Sequence, residues 1–271
     1  PDQDSLGSVF VHAHDHLPAL RVVPGSFPPD GLLSIIPSNG SPVSPRSRIH
    51  VTPDASRLSR SIEDYLKAVF ALSQSGSSAS TSALADQLGV QPSSVTGMVK
   101  RLAEMGLLAH VPYRGVQLTD AGTREALRVI RRHRILETYL TERLGYAWEE
   151  VHDEAERLEH TASDRLIESM AHALGDPSHD PHGAPIPTLD GEMASASLET
   201  LAEAALNEPQ VIQSVRDDEA DGLRAMEARG LLPGVEVRVL AHTPDGSMTV
   251  EVGGATGVSR SISSRLARRI Y

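Results

Sequence analysis

The chain has 271 residues, a net charge of −11 and no cysteine. That length suggests two or three modest domains, and the lack of cysteine excludes a disulfide framework or a thiolate metal site. No apolar run approaches the ~20 residues that a membrane helix needs, and the N-terminus lacks the basic start and apolar core of a signal peptide. We therefore expect a cytoplasmic protein without a membrane partner.

The negative charge is unevenly distributed along the chain. Between Arg60 and Arg134 there are ten Lys/Arg and six Asp/Glu, a net charge of +4. Between Glu137 and Glu208 three Arg stand against seventeen Asp/Glu, a net charge of −14. The first region is suited to contact with phosphate and the second to contact with cations.

Residues 1–55 have the composition of an unstructured extension. Nine of the 18 prolines lie before residue 54, among many Ser and Gly and without a helical period. Such a composition favours disorder. We expect either a disordered tail or translated sequence ahead of the native start.

A helix-turn-helix pattern follows a first predicted helix, which begins at Ser61 with that residue as its cap. The sequence predicts a helix at Thr81–Leu88, a turn at Gly89, and a helix at Pro92–Met105 that is ended by Gly106. Proline suits the first turn of a helix, and glycine suits the position after its end. The apolar residues predicted to join the two helices are Leu84, Ala85, Leu88, Val90, Val95, Met98, Val99 and Leu102.

The outward face of the second of these helices carries the candidate DNA contacts. Small hydroxyl side chains allow close approach to the major groove, and cations behind them bind phosphates. The predicted contacts on this helix are Gln91, Ser93, Ser94, Thr96, Lys100 and Arg101. Strands at 107–111 and 116–118 predict a β-hairpin wing, with Tyr113 and Arg114 at its tip. Together these features predict binding to double-stranded DNA.

Two stretches carry metal-ligand residues at helical spacing. A long helix that starts at Thr119 or Asp120 and runs through Leu144 contains His133 and Glu137, four residues apart and so on one face. Its apolar residues fit either a core or a dimer surface. A second helix is predicted from residue 148 to 174, without Gly or Pro until its end. At about 100° per residue, four of its side chains share one face: His152, Glu156, Glu159 and His160. Two imidazoles and two carboxylates on one face resemble half of a divalent-metal site.

The remaining chain predicts a loop, a linker and a small β module. The Pro-rich stretch DPSHDPHGAPIP follows the acidic helix, and residues 193–208 are predicted as an Ala-rich linker with helical potential. From residue 209 onward, a strand at Val211–Val215 and a helix at Glu219–Arg229 precede short alternating strands. This pattern is typical of an SH3-like β-barrel.

Six ordered motifs between Ser61 and Pro187 resemble the DtxR/MntR family of metal-dependent transcriptional repressors. The motifs are IEDYLKAVF, VQPSSVTGMVKRL, PYRGVQLTDAG, RRHRILE, VHDEAERLEH and DPHGAPIP. The tail resembles that family's SH3-like (FeoA-like) domain, so only about the first 50 residues fall outside the resemblance. The expected fold is mainly α with small β parts. We expect a winged helix-turn-helix domain (56–124), a helical dimerisation and metal-binding domain (125–192), the linker and the SH3-like domain (209–271).

The resemblance also implies two metal sites. The primary site takes one ligand from the first helix and three from the acidic helix, which fall on Asp64, Glu156, Glu159 and His160. The ancillary site falls on His133, Glu137 and His152. In iron regulators of the family two further ligands come from the SH3-like domain, where Asp218 and Glu219 lie nearest.

The sequence departs from both branches of the family in ways that bear on the metal. Iron regulators carry Met at the position of Asp64 and Cys at that of Glu156, whereas manganese regulators carry carboxylates, as here. Short manganese regulators place Glu where Lys67 stands, so a closely spaced binuclear site is not expected. Three carboxylates and one imidazole without sulfur form a hard site, which favours Mn²⁺, with Fe²⁺ second.

The expected function is that of a homodimeric repressor that uses the divalent cation as corepressor and binds a palindromic operator. Two other hypotheses stay open. In one, a winged-helix regulator senses an organic ligand, the acidic helix is purely structural, and chelators leave DNA binding unchanged. In the other, an enzyme of metal-assisted hydrolysis uses the His/Glu cluster to activate water. The sequence offers that enzyme no independent nucleophile or Gly-rich phosphate loop, so we expect no enzymatic activity.

Overall fold

The computed structural model describes residues 58–74, 78–111, 115–194, 199–244, 246–254 and 257–271. The predicted N-terminal extension (1–55) lies outside the described residues, as do Tyr113 and Arg114 of the predicted wing tip. Among the described helices, none is both long and apolar enough to cross a membrane. The architecture is mainly helical with a two-stranded and a four-stranded antiparallel sheet, as the sequence predicts.

The first region contains three helices and a hairpin: α1 (Arg60–Ser73), α2 (Thr81–Leu88), α3 (Pro92–Glu104), β1 (Leu108–Val111) and β2 (Gly115–Leu118). Ser80 caps α2 by accepting a hydrogen bond from the backbone of Ala83, and Gly89 ends it in the left-handed conformation. The first helix begins at Arg60 and not at Ser61, and its N-cap is Ser59, two residues before the predicted cap and without a side-chain cap hydrogen bond. The helix-turn-helix and wing are thus confirmed.

Apolar faces of these elements form a single core that includes Leu66, Leu84, Val95, Leu102 and Val116. Val90 was predicted to join this core, but 37% of its surface is exposed. It follows the left-handed glycine turn after α2, and its backbone closes that turn by donating to Ala85. The apolar period of α2 therefore does not continue through the turn.

The longest helix, α4 (Asp120–Leu144), joins the DNA-binding region to the acidic region. Thr119 caps its start, and Gly145 ends it with φ +72°. Its 25 residues span about 37 Å at 1.5 Å per residue. Ala126 near its start lies in the core of the DNA-binding region, whereas Ile135 and Leu136 lie in a second core. A displacement at either end of α4 is thus passed along a single helix.

The acidic stretch is divided into two helices, α5 (Val151–Leu158) and α6 (Asp164–Ala173), so the prediction of one helix from 148 to 174 is wrong. Ser163 starts α6, since its hydroxyl accepts a hydrogen bond from the backbone of Leu166. A Ser followed by Asp is a normal helix start, so the sequence contained this signal. His160 lies in the turn between the two helices.

The C-terminal region is a four-stranded antiparallel sheet of the SH3-like type, with strands in the order of the chain. Its elements are β3 (Pro209–Val211), α7 (Ala220–Glu227), β4 (Glu236–His242), β5 (Met248–Val252), β6 (Val258–Ile262) and α8 (Ser264–Ala267). The first strand ends where the sequence predicted it to begin. Within the segment predicted as a linker, Leu201 and Ala204 are buried in the core of this region, and no described residue there is in an α-helix.

Gly122 and Gly97 form a matched pair that tests how α4 packs on the wing. A Cβ at Gly122 would lie 2.0 Å from the carbonyl oxygen of Leu107, whereas a Cβ at Gly97 meets nothing within 4 Å. We expect Gly122→Ala to lower the free energy of unfolding by roughly 1–3 kcal/mol through overpacking. Gly97→Ala should raise it by about 0.5–1 kcal/mol because glycine is unfavourable inside a helix. Urea unfolding followed by circular dichroism measures both, and equal effects would contradict this packing.

Candidate metal centre

The four residues predicted for the primary site meet between α1 and the end of α5: Asp64, Glu156, Glu159 and His160. One ligand atom from each lies within 4.8 Å of the others. Glu159 is the C-cap of α5, and His160 belongs to the turn that follows. Three of the four predicted ligands thus lie in the last turn of α5 and in the turn that follows it.

Glu63 orients the imidazole of His160. Its Oε2 lies 2.6 Å from Nδ1 of His160, and its Oε1 accepts a hydrogen bond from Arg132 at 2.7 Å. Donation from Nδ1 to Glu63 leaves Nε2 facing Asp64 Oδ1 at 2.9 Å and Glu159 Oε1 at 3.2 Å. This buried Nε2 has no hydrogen-bond partner in suitable geometry among the described residues. A ring nitrogen held in this way is typical of a metal-ligating histidine, so the cluster fits a divalent cation.

The sequence reasoning did not identify the role of Glu63 and Arg132, which are only 4% and 3% exposed. Burial lowers the pKa of His160, but the nearby carboxylates of Asp64, Glu63 and Glu159 outweigh that effect and raise it to about 9. Nothing in the spacing of Glu63 and Arg132 indicated their contact, since 69 residues separate them.

Lys67 is a second cation beside the primary cluster. Its ammonium donates to Glu156 Oε1 at 2.6 Å and to Glu159 Oε1 and Oε2 at 2.8 and 3.0 Å. Burial lowers the pKa of Lys67, but attraction by the two carboxylates outweighs burial and raises it. Burial raises the pKa of Glu156, but attraction by the ammonium of Lys67 outweighs burial and lowers the pKa. Lys67 and Glu156 therefore each favour the charged form of the other.

The residues predicted for the ancillary site form a second cluster: His133, Glu137 and His152, joined by Asp217. Glu137 Oε1 lies 2.9 Å from His133 Nε2 and 3.3 Å from His152 Nδ1. Asp217 Oδ2 lies 3.3 Å from the same nitrogen of His152. Burial raises the pKa of Glu137, but His133 outweighs it and lowers the pKa to about 2. Burial lowers the pKa of His152, but Asp217 and Glu137 raise it to about 11. Two carboxylates and two imidazoles thus converge on one point.

The residue of the C-terminal region that lies in this second cluster is Asp217, whereas Asp218 and Glu219 were the predicted ligands. Neither of those two lies in the cluster: Asp218 pairs with Arg269, and Glu219 pairs with Arg265 at 2.6 Å. They precede α7 and face arginines from the C-terminal end of the chain. The sequence did not indicate which of the three consecutive acidic residues at 217–219 would lie in this second cluster. Burial raises the pKa of Asp217, but His152 outweighs burial and lowers it.

The DPHG stretch adds a third group that the sequence reasoning treated only as a rigid loop: Glu137, Asp180 and His182. His182 Nε2 lies 2.8 Å from the carbonyl oxygen of Trp148, to which it can only donate. Its Nδ1 is therefore unprotonated in the neutral ring. This atom and Glu137 Oε2 are both buried, without a hydrogen-bond partner among the described residues. Burial and Glu137 raise the pKa of Asp180 to about 7, against the opposing charge of Arg134. The group also fits a cation, and it shares Glu137 with the ancillary cluster.

Glu159 connects the primary cluster to the ancillary one. Its Oε2 lies 2.6 Å from His133 Nδ1, while the other nitrogen of that ring faces Glu137. Burial lowers the pKa of His133, but Glu137 and the hydrogen bond with Glu159 raise it to about 9. With both ring nitrogens protonated, this imidazolium bridges a primary and an ancillary carboxylate.

The predicted DNA contacts on α3 lie on its outer face and are exposed: Gln91, Ser93, Ser94, Thr96, Lys100 and Arg101. The Thr96 hydroxyl donates to the carbonyl oxygen of Pro92 at 3.1 Å. Lys100 lies 3.9 Å from Glu104, a loose exposed pair. The inner face of α3 is formed by Val95, Val99 and Leu102, which are buried. The helix thus presents small polar and cationic groups to one side.

Comparison with known proteins gives three family matches that together cover most of the described chain. Residues 57–116 match the iron dependent repressor N-terminal DNA binding domain, residues 119–188 the iron dependent repressor metal binding and dimerisation domain, and residues 199–271 the FeoA domain. The chain is 30% identical over 210 residues to the iron-dependent repressor IdeR of Mycobacterium leprae, covering 73% of this chain and 90% of that protein. It is 31% identical over 202 residues to the diphtheria toxin repressor of Corynebacterium diphtheriae, covering 71% and 88%.

Solved structures agree with this assignment. A manganese-dependent transcriptional repressor in complex with manganese is 37% identical with a TM-score of 0.71, covering 77% of this chain and 97% of that one. The repressor ScaR with bound Zn²⁺ is 33% identical with a TM-score of 0.67, covering 78% and 97%. The chain therefore belongs to the iron-dependent repressor family, the DtxR family of metal-dependent transcriptional repressors.

Proposed function

We propose that this chain is a homodimeric repressor whose binding to operator DNA is switched on by Mn²⁺, with Fe²⁺ as the second choice. One observation carries the proposal. The primary cluster takes Asp64 from the DNA-binding region and its other three members from the end of α5 and the following turn. A cation bound there joins the two regions. The comparisons support this function and not a sensor of organic ligands.

The switch follows from electrostatics and packing. The carboxylates of Asp64, Glu156 and Glu159 repel one another, and a bound divalent cation supplies the positive charge that offsets this repulsion. Asp64 is then held against α5 and fixes the position of α1. Because Leu66 of α1 lies in one core with Leu84 of α2 and Val95 of α3, the position of α1 is passed to the recognition helix. In a dimer this sets the spacing of two α3 helices, about 34 Å for successive turns of DNA.

The exposed residues of α3 are the proposed DNA contacts, with Ser93 and Ser94 facing bases and Lys100 and Arg101 facing phosphates. Two copies related by a two-fold axis require a palindromic operator. The acidic region is proposed as the dimer contact, in line with the dimerisation domain that it matches. Since its proposed partner is chromosomal DNA, the proposed location is the cytoplasm. The His/Glu clusters serve binding and not catalysis.

The proposed metal follows from the ligand chemistry. Three carboxylates and one imidazole are hard donors, suited to Mn²⁺ or Fe²⁺ with room for water. A second cation is proposed around Glu137 and Asp217, held by His133 and His152. The third group offers Asp180 and His182 as further ligands on the other oxygen of Glu137.

Glu159→Gln tests the switch while preserving the volume of this buried side chain. The variant should lose the Mn²⁺-stimulated part of DNA affinity, which we expect to be roughly 5- to 150-fold in the unaltered chain. It should also bind one Mn²⁺ fewer per chain in calorimetry, because the cluster around Glu137 is left intact. DNA affinity is measured by anisotropy with a labelled fragment selected from a random pool, in Mn²⁺ and in chelator.

The matched control is Glu154→Gln on α5, whose half-buried carboxylate pairs only with Arg157, at 2.6 Å, among the described residues and belongs to no group of candidate metal ligands. This control should retain full Mn²⁺ stimulation. If Glu159→Gln kept the same stimulation as the control, the assignment of the primary site would be wrong.

The double variant Asp64→Met with Glu156→Cys tests metal selectivity. It replaces two hard oxygens with two sulfurs, which contribute little to Mn²⁺ and favour later metals. We expect the DNA-binding response to Mn²⁺ to be largely lost and a response to Fe²⁺, Co²⁺ or Ni²⁺ to remain under anaerobic, reducing conditions. Each metal is titrated against the same labelled DNA. An unchanged Mn²⁺ midpoint would show that these two positions do not set the choice of metal.

A further inference from the structure

Lys67 lies inside the primary cluster and yet cannot bind a metal cation. It is one turn beyond Asp64 on α1, and its side chain is only 20% exposed. Its ammonium contacts both oxygens of Glu159 and one oxygen of Glu156, all within 3.0 Å. Within the described chain, no other lysine has its ammonium beside a group of candidate metal ligands.

Both carboxylate oxygens of Glu159 already have hydrogen-bond partners. This carboxylate is fully buried and accepts from Lys67 through both oxygens. It also faces His133 at 2.6 Å and His160 at 3.2 Å. A carboxylate offers about four lone-pair directions, and Lys67 and His133 take three of those of Glu159. A metal cation placed between Glu156 and Glu159 needs oxygens that the ammonium holds.

The ammonium also makes the same connection that a metal would make. It joins α1 to the end of α5 through charge, as the proposed cation joins Asp64 to the same helix end. An ammonium carries one positive charge where Mn²⁺ carries two, and that of Lys67 donates to the two carboxylates and not to His160 among the described residues. It therefore satisfies the carboxylates without engaging Nε2 of His160.

We propose that Lys67 is a tethered competitor of the divalent cation, which holds Glu156 and Glu159 until metal displaces it and so raises the metal concentration at which the repressor switches. Displacement moves the ammonium outward along its flexible stem. The lysine thereby stabilises the metal-free chain and weakens metal binding by the same interaction. This role rests on the proposed metal-dependent switch.

Lys67→Met tests the competitor because it keeps most of the stem and removes the charge. Calorimetric titration with Mn²⁺, without DNA, should show affinity at the primary site increased by about tenfold or more, since a unit charge beside two carboxylates is removed. The melting temperature of the metal-free chain should fall, because two acids lose their counter-ion, while that of the Mn²⁺-saturated chain should not. Lys67→Gln should also increase the Mn²⁺ affinity. If the Met variant does not fold without metal, the test is made with the Gln variant.

Lys100→Met is the matched control, since it removes the same charge from a side chain that is 78% exposed on α3. It should leave both the Mn²⁺ affinity and the melting temperature of the metal-free chain unchanged. A weaker or unchanged Mn²⁺ affinity in the Lys67 variants would overturn the proposal and would make Lys67 an orienting residue or a bystander. A failure of the proposed function would give a different result, because the Glu159→Gln variant would then bind Mn²⁺ as the unaltered chain does.

Discussion

The carboxylate of Glu159 is fully buried where α1, α4 and α5 meet, and the geometry of the metal centre depends on it. Burial of an uncompensated carboxylate costs several kcal/mol, so cationic groups must converge on this point. Lys67 comes from α1, His133 from α4 and His160 from the turn after α5. Because each partner belongs to a different element, the contacts that neutralise the charge of Glu159 also fix α1, α4 and the end of α5 relative to one another. A change in which cation satisfies Glu159 is therefore a change in how the DNA-binding region is held.

Two further contacts make this centre a junction of all three regions. The buried pair of Arg132 and Glu63 links α4 to α1 and positions His160 at the same time. On the other side, the C-terminal region contributes Asp217, and its core packs against Trp148, which stacks on His182 with ring centroids 5.5 Å apart. The C-terminal region thus completes the ancillary cluster through Asp217, which lies between β3 and α7 and outside the sheet. Breaking a buried ion pair by removing one partner is strongly destabilising, so these links constrain the centre even before metal enters.

Much of the fold could be predicted from the sequence because it depends on local signals. Caps such as Ser80 and Thr119 and apolar periods fix where most helices begin and which faces they bury. Seven of the clustered side chains were found from spacing and resemblance. The rest depends on tertiary contacts that spacing does not encode. Glu63 and Arg132 meet across 69 residues, and the inward member of the acid run at 217–219 is decided by arginines near the end of the chain. The break after α5 was predictable, because Ser163 is a normal helix cap. It was missed because the segment contains neither Gly nor Pro.

The central claim is that a divalent cation and DNA act on the same equilibrium through the primary cluster. Linkage requires the two effects to be equal: if Mn²⁺ tightens DNA binding by some factor, DNA must tighten Mn²⁺ binding by the same factor. The direct measurement is the Mn²⁺ affinity of the chain by calorimetry, with and without a saturating selected DNA duplex at fixed pH and salt. We predict a tighter Mn²⁺ affinity on DNA, by the factor found in the anisotropy titrations and absent in Glu159→Gln. An Mn²⁺ affinity that is the same with and without DNA would contradict the account.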